Sequence, residues 1–595
     1  MPRQLERFPN LVTMFFVRAA EKGDAPFLWT KTGGAWVSTS WADAARQVAS
    51  LATALTAIGL KPGDRVMLVS ENRPEWCLSD LAIMAAGCVT VPTYVTNTER
   101  DHLHIIENAG ACAIIVSTAK LAKTVLPAVL RSNQAQIVIG LEDMRVPAAI
   151  DFHNWHALIA AHPTPPEAAA ARANFGREDL ACIIYTSGTG GAPRGVMQHH
   201  GAILHNCAGC AAVISEDFGW DDEVFLSFLP LSHAYEHTGG QHFPISLGGQ
   251  IYYAEGLEKL AANIEETRPT IMFVVPRLFE VLRTRISKTI EKQGGASAYL
   301  LARALDIGGK RYAGRLRLID RPMQAAVATL FKPKIAKKFG GRMKAMISGG
   351  APLNPEVGLF FESIGLTFLQ GYGQTEAAPV ISCNRPQAGV RMDSVGPPLK
   401  DTEVRIAEDG EILVRGELVM HGYWRNDAET AKVLKDGWLH TGDIGEIDAN
   451  GRIRITDRKK DLIINDKGDN VAPQKVEGML TLQREVAQAM IVGDKRPYMV
   501  ALIVPDPEWT QEWCAANGDA CSFARLAENS EFRTAIGLAI ERVNKDLTVT
   551  ERVRRFVLAD GPFTIENEQL TPSLKIRRHV LKQAYGERLD ALYKP

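Results

Sequence analysis

Ile183-Ile184-Tyr185-Thr186-Ser187-Gly188-Thr189-Gly190-Gly191-Ala192-Pro193-Arg194-Gly195-Val196 is an apolar run that empties into glycines and hydroxyls and closes on one cation. The run from Leu180 to Tyr185 reads as a buried strand, and the loop behind it has the composition of a phosphate cradle. Glycine lets backbone N–H groups turn toward an anion, small hydroxyls add donors, and the cation offsets charge. It is not a Walker A loop: Gly190 and Gly195 have that loop's separation, but Val196 stands where its lysine is required. Taken alone, the loop reads more plainly as an ordinary glycine-rich turn after a strand. Its hydroxyls, its arginine and the motifs downstream decide against that reading.

Outward from this loop, short β-type runs alternate with helical patterns. Arg65 to Ser70, Val89 to Pro92, Ala113 to Ser117 and Ile137 to Gly140 are the strands, and Trp41 to Leu60 is a helix between them. That order predicts a helix-covered, mainly parallel sheet. Glu142 to Arg177, rich in alanine and proline, reads as a surface excursion. After Val395 the texture changes to short strands with turns, Thr402 to Ile406 and Glu411 to Arg415, which predicts a small β-rich module. From Asp457 strands and helices mix in a compact tail. The expected architecture is α/β, with an N-terminal domain over 1–456 that includes the β-rich module at about 395–456, and a small mobile α+β domain over 457–595. A chain of 595 residues exceeds one ordinary core, in keeping with this division.

Composition narrows the function. Hydrophobic residues at 46% and charged at 23% describe a soluble globular protein, and a net charge of −1 argues against a dedicated nucleic-acid binder. No eighteen apolar residues run uninterrupted, so no spanning helix is expected. Met1 to Lys22 reads as an amphipathic helix capped near Asn10 rather than as an export signal. Nine scattered cysteines fit reduced thiols in a cytoplasm. Cys207 and Cys210 form a lone C-x-x-C in an apolar helical stretch and read as buried small hydrophobes. Eleven lysines and arginines against the single acid Asp320 crowd Lys310 to Lys344. That is a solvated helical face, or a surface for phosphate-bearing groups such as anionic lipid headgroups.

Further motifs follow the loop. Ser348-Gly349-Gly350-Ala351-Pro352-Leu353 and Tyr372-Gly373-Gln374-Thr375-Glu376 each read as a strand-end turn when taken singly. Trp438-Leu439-His440-Thr441-Gly442-Asp443 ends on an acid that, taken singly, reads as a surface-turn aspartate. Asp457-Arg458-Lys459-Lys460-Asp461 is by default a solvated charge run, and a lone lysine in the basic tail Leu570 to Arg578 by default faces solvent. His233-Ala234-Tyr235-Glu236-His237 matches the H-x-x-E-H pattern of some zinc peptidases. Against zinc, Thr238-Gly239-Gly240 should cut the helix short, and no third ligand stands out.

Together, and in this order, the motifs resemble the adenylate-forming superfamily of acyl- and aryl-CoA synthetases, luciferases and peptide-synthetase adenylation domains. The similarity runs from about Trp41 to the last helix and is greatest to the long-chain fatty acyl-CoA synthetases. Gly190 and Arg194 depart from the usual threonine and lysine, which costs one hydroxyl contact and exchanges a point charge for a fork. The resemblance implies that Thr186, Ser187, Gly188, Thr189 and Arg194 bind phosphates, and that Gly349, Gly350, Ala351 and Pro352 line the adenine pocket. It implies that Tyr372 stacks on adenine within Tyr372-Gly373-Gln374, that Thr375 meets the α-phosphate, and that Glu376 holds Mg²⁺. Asp443 and Arg458 would bind ribose, Lys460 would be the hinge pivot, and Lys575 would be the mobile catalytic lysine. His233 and Tyr235 would line the acyl pocket.

The implied cofactors are ATP, Mg²⁺ and CoA. The implied reaction is ATP-dependent activation of a fatty acid through an acyl-adenylate, then thioester formation with CoA, in the cytoplasm or at the inner face of a membrane reached through Lys310–Lys344. A carrier protein or amine as acceptor, a degenerate fatty-acid-binding or uptake module, and a zinc peptidase are the competing readings.

Overall fold

Asn10 opens the first helix, Leu11–Lys22, with its side chain accepting from Thr13 N, the N-cap arrangement that satisfies an otherwise orphaned donor. The computed structural model describes residues 4–186, 193–459, 462–467, 469–517, 522–571 and 575–594. The loop residues Ser187 to Ala192, the expected hinge Lys460 with Asp461, and Pro572 to Leu574 lie outside them.

Two large sheets carry the first 400 residues. One has seven strands in the order Asp151–Asn154, Ile137–Gly140, Ala111–Val116, Arg65–Val69, Val89–Thr93, Leu180–Thr186, Arg194–His199. All its pairings are parallel except the last, in which Thr186 lies opposite Arg194 at the two ends of the glycine-rich loop. The other has eight, from Val380–Cys383 through Phe368–Gly373, Ala345–Ser348, Ile271–Val274, Val224–Ser227 and Gln250–Tyr253 to Pro26–Thr32 and Ala35–Ser40. It is parallel inside and antiparallel at both ends. The parallel strands are buried on both faces, as the unbroken apolar run Val66 to Val69 requires.

The expected β-rich module is an antiparallel five-stranded sheet built on Glu403–Ile406, Glu411–Arg415, Trp438–Ile447 and Ile453–Arg458, with the short Leu434–Lys435. Beyond it, Val486–Val492, Met499–Pro505 and Val553–Leu558 form a three-stranded mixed sheet covered by Pro473–Leu480, Ser530–Asn544 and Arg578–Ala591. The α/β class with a small β module and an α+β tail is the observed architecture.

Three expectations are corrected. Glu142 to Arg177 is no mere surface excursion: it adds the edge strand Asp151–Asn154, and the buried Trp155 donates from Nε1 to Ser79 Oγ at 3.0 Å. Burying an indole of that size outweighs the alanine- and proline-rich composition around it. Thr238-Gly239-Gly240 does not end a helix, for a π-turn over His237–His242 carries the helical run on into Phe243–Leu247. Finally, thiols are not uniformly reduced. Cys207 and Cys210 are free, and burial pushes both up to about 12, but Cys514 is disulfide-bonded.

Candidate active site

The carboxyl ends of the central strands open into one cavity of about 2400 Å³, closed on the far side by the β module and the tail. Its polar rim is assembled from distant segments. Tyr372 ends the strand Phe368–Gly373 and donates from its hydroxyl to Asp443 Oδ2 at 2.7 Å, while Arg458 Nε donates to Asp443 Oδ1 at 2.9 Å. Trp438–Ile447 and Ile453–Arg458 pair antiparallel with Asp443 opposite Arg458, so sheet register brings these two together. Each carboxylate oxygen keeps a lone pair for a further donor, which suits a diol.

Gly373 must be glycine. A Cβ there would lie 1.8 Å from Pro379 O, because the strand folds back tightly at Gln374, whose N donates to Pro379 O at 2.9 Å. That fold-back sets the single turn Thr375–Ala377, which presents Glu376 to the cavity. Glu376 Oε1 accepts from Tyr423 Oη at 2.7 Å. One hard oxygen of the carboxylate is thus engaged and the other is available, which fits a cation that takes one or two protein oxygens and fills its shell with water and phosphate. Arg194 lies 4.4 Å above the Tyr423 ring and donates to Glu429 Oε2 at 3.0 Å. Tyr423 therefore orients both the acid and the cation. Sequence reading missed it, since only the fold carries residue 423 to residues 194 and 376.

The side of the cavity away from this rim is apolar. Tyr235, Phe243 and Phe273 line the cavity, with the Phe273 ring edge-on to the other two at 5.6 and 6.1 Å. Tyr235 Oη donates to Ile347 O at 2.9 Å. A Cβ on Gly349 would stand 2.8 Å from the Tyr235 ring, so the small residue permits the two expected pockets to share a wall. Gly350, Ala351 and Pro352 also line it.

Lys575 enters this cavity from the tail. Its turn is pinned by Thr571 N donating to Lys575 O at 2.8 Å, by Lys575 N donating to Thr571 Oγ1 at 3.0 Å, and by a bridge between Leu570 and Ile576. Lys575 is near enough to His233 that burial and the ammonium charge together push that imidazole down to about 4. A neutral His233 adds no second cation beside the lysine.

Of the expected residues, Thr186, Arg194, His233, Tyr235, Gly349 to Pro352, Tyr372 to Glu376, Asp443, Arg458 and Lys575 all line the cavity. The H-x-x-E-H residues diverge. His233 faces the cavity, Glu236 Oε1 accepts from Ser227 Oγ at 2.6 Å, and His237 meets Asp80, so the peptidase arrangement is absent among the described residues.

Comparison with known proteins decides the family. The model of the AMP-binding enzyme family matches residues 15–424, and that of the AMP-binding enzyme C-terminal domain matches 460–595. The chain belongs to the AMP-binding enzyme family. It is 30% identical over 596 residues to the long-chain-fatty-acid–CoA ligase FadD15 of Mycobacterium tuberculosis, covering 98% of this chain and 97% of that protein. It is 29% identical over 607 residues to the human long-chain-fatty-acid–CoA ligase 1, covering 96% and 84%. Among solved structures, the adenylation domain of a carboxylate reductase from Mycobacterium chelonae superposes with a TM-score of 0.77 at 23% identity, covering 99% of this chain and 92% of that one. O-succinylbenzoate coenzyme A synthetase from Bacillus subtilis, in complex with AMP, gives 0.68 at 18% identity, covering 97% and 98%. These two likenesses establish the fold: this AMP-binding enzyme has the architecture of adenylating enzymes.

Proposed function

We propose that this AMP-binding enzyme activates a long-chain fatty acid with ATP and passes the acyl group to CoA, releasing AMP and pyrophosphate. The observation that carries the reading is the continuity of the cavity. Its rim holds Asp443, Tyr372, Glu376 and Lys575, and its floor holds Tyr235, Phe243 and Phe273. Small-molecule pockets run to about 300–1,000 Å³, so about 2400 Å³ has room for a nucleotide and a long apolar chain together. The full-length similarity to long-chain-fatty-acid–CoA ligases supports the same substrate class.

In this reading Thr186 and Arg194, with Ser187, Gly188 and Thr189, hold the phosphates, and Asp443 with Arg458 holds the ribose. Thr375 donates to the α-phosphate. Glu376 would hold Mg²⁺, which with ATP bound supplies charge neutralisation. The fatty carboxylate oxygen attacks the α-phosphorus, the bond to pyrophosphate breaks, and a mixed anhydride forms. Lys575 stabilises the negative charge that accumulates in that transition state more than in the ground state. The tail, 457–595, then pivots at Lys460 and withdraws Lys575. The CoA thiolate takes the acyl group and AMP leaves with the electron pair of the anhydride bond.

The segment Lys310–Lys344 supports delivery from an anionic membrane surface. Leu318 and Ile319 are 72% and 83% exposed there, between Arg311, Arg315, Arg317 and Arg321. Among the described residues no helix is long and apolar enough to cross a membrane.

A ladder of acids from acetate to oleate, each with ATP and with CoA as sole thiol, tests the reading. Pyrophosphate release that peaks at long chains and yields the acyl-CoA mass is expected. Release that peaks at short or aromatic acids would refute the substrate class. Acyl-adenylate that accumulates without thioester would refute CoA as acceptor.

A further inference from the structure

Behind Tyr235, away from the cavity, lies a closed cluster the reaction does not use. Asp80 projects from the helix Pro74–Ala85, and His237 and His242 occupy the two ends of the π-turn; all three side chains are wholly buried. His237 Nε2 is 3.0 Å from Asp80 Oδ2, His242 Nε2 is 3.4 Å from the same oxygen, and the two Nε2 atoms are 3.3 Å apart. Gln241 Nε2 donates to Asp80 Oδ2 at 2.6 Å.

The π-turn makes this convergence. Residues five apart on an α-helix point about 140° apart, whereas i→i+5 bonding sets them on one side, and such turns concentrate at functional sites. Hydrogen bonding alone serves the cluster poorly. Three nitrogens converge on Oδ2, and with the two Nε2 atoms 3.3 Å apart they cannot all direct a proton at it without two N–H groups meeting. A buried carboxylate needs a counter-charge, and uneven satisfaction of buried polar atoms is costly.

The triangle instead has the dimensions of one face of a coordination tetrahedron. Bonds of 2.0–2.1 Å from zinc to nitrogen or oxygen imply ligand–ligand edges of about 3.3 Å, against the 3.0, 3.3 and 3.4 Å found. A set of two imidazoles and one carboxylate suits zinc-class ions. A fourth oxygen is at hand. Gln241 Oε1 is buried without a partner among the described residues, on an amide that already touches Asp80.

We propose that Asp80, His237 and His242 form a structural site for a divalent transition-metal ion of the zinc class, with Gln241 as fourth ligand. The ion would clamp the Pro74–Ala85 helix to the turn whose flanking residues Tyr235 and Phe243 shape the cavity. The other histidine cluster, Glu178, His199 and His421, differs. His199 already has both nitrogens against backbone carbonyls, Arg177 O at 2.8 Å and Val419 O at 3.3 Å, and His421 is 36% exposed.

The test uses the full chain without a polyhistidine tag, grown in zinc-supplemented medium and passed through gel filtration with a chelator. Elemental analysis should find about one zinc per chain, retained in His421→Ala and below about a tenth in His242→Gln. X-ray absorption of the zinc-loaded wild type should show two imidazole ligands with oxygen in the remaining positions, a readout that stands even if His242→Gln fails to fold. Less than about a tenth of an equivalent in the wild type, equal retention by His242→Gln and wild type, or a shell dominated by sulfur or water would overturn the proposal.

Discussion

Between His233 and Phe243 one short helical segment has two faces that treat polar groups in opposite ways. On the cavity side His233 is pushed down to about 4 beside Lys575, and Tyr235 offers its ring to the cavity. On the core side Glu236, His237, Gln241 and His242 close on Ser227 and Asp80. The first face keeps its chemistry available to a ligand, and the second spends it on the framework. Substitutions of groups that face the cavity should therefore alter rates at little change in stability, and those of groups tied to the framework, the Tyr235 hydroxyl on Ile347 O among them, should do the reverse.

Lys575→Ala should have the largest effect. Acyl-adenylate formation should fall about 10²–10³-fold, the loss expected for one transition-state charge partner, with the melting temperature unchanged. Thioester formation from supplied acyl-adenylate should persist, and single-turnover assays of both half-reactions separate the two. Equal loss of both would remove Lys575 from its assigned step.

Asp443→Ala comes next. Hydrogen bonds to a charged group contribute about 1.5–3 kcal/mol, so the KM for ATP should rise about ten-fold or more in saturating acid. An unchanged KM would mean that the Tyr372–Asp443–Arg458 set is framework rather than nucleotide site.

Glu236→Gln probes the hidden face through pH. Burial raises the Glu236 carboxyl to about 8 from an ordinary 4.5, while the Ser227 hydroxyl and the Phe228 backbone pull it down. Between those values the folded chain holds a proton that the unfolded chain has released, so this group's stability contribution is complete below 4.5 and is lost as pH rises toward 8. Chemical denaturation should show wild type losing up to about 1.4 kcal/mol per pH unit relative to Glu236→Gln across that window. Parallel curves would place the carboxyl in water.

Tyr235→Phe should be mildest. It removes the hydroxyl that donates to Ile347 O and should cost about 1 kcal/mol of stability, with kcat for a long-chain acid nearly unchanged. A large drop in kcat would show that this hydroxyl meets substrate and would blur the division between the faces.

Much of the cavity side was legible in the chain. Tyr372, Asp443 and Lys575 sit in short motifs that read singly as turns or solvent-facing charge; only their order along the chain, through the family resemblance, put them in one site, and all three line the cavity. Apolar runs such as Ala113 to Val116 announce a buried parallel sheet. The core side was not. Asp80 and His237 lie 157 residues apart, and Gly239-Gly240 reads as a helix stop because the local rule has no term for a π-turn. Tyr423 escaped for the same reason, since its partners Glu376 and Arg194 are neighbours only after folding. Trp155 shows a tertiary contact overriding composition, for its burial organises a stretch that alanine and proline would leave on the surface.

Isotope exchange between pyrophosphate and ATP tests the central claim most directly, because it reports adenylation without requiring any acceptor. Wild-type enzyme should incorporate label into ATP only when a fatty acid is present, and Lys575→Ala should lose that exchange. No incorporation with any acid, or incorporation equally fast without one, would contradict the assignment of this cavity to carboxylate activation.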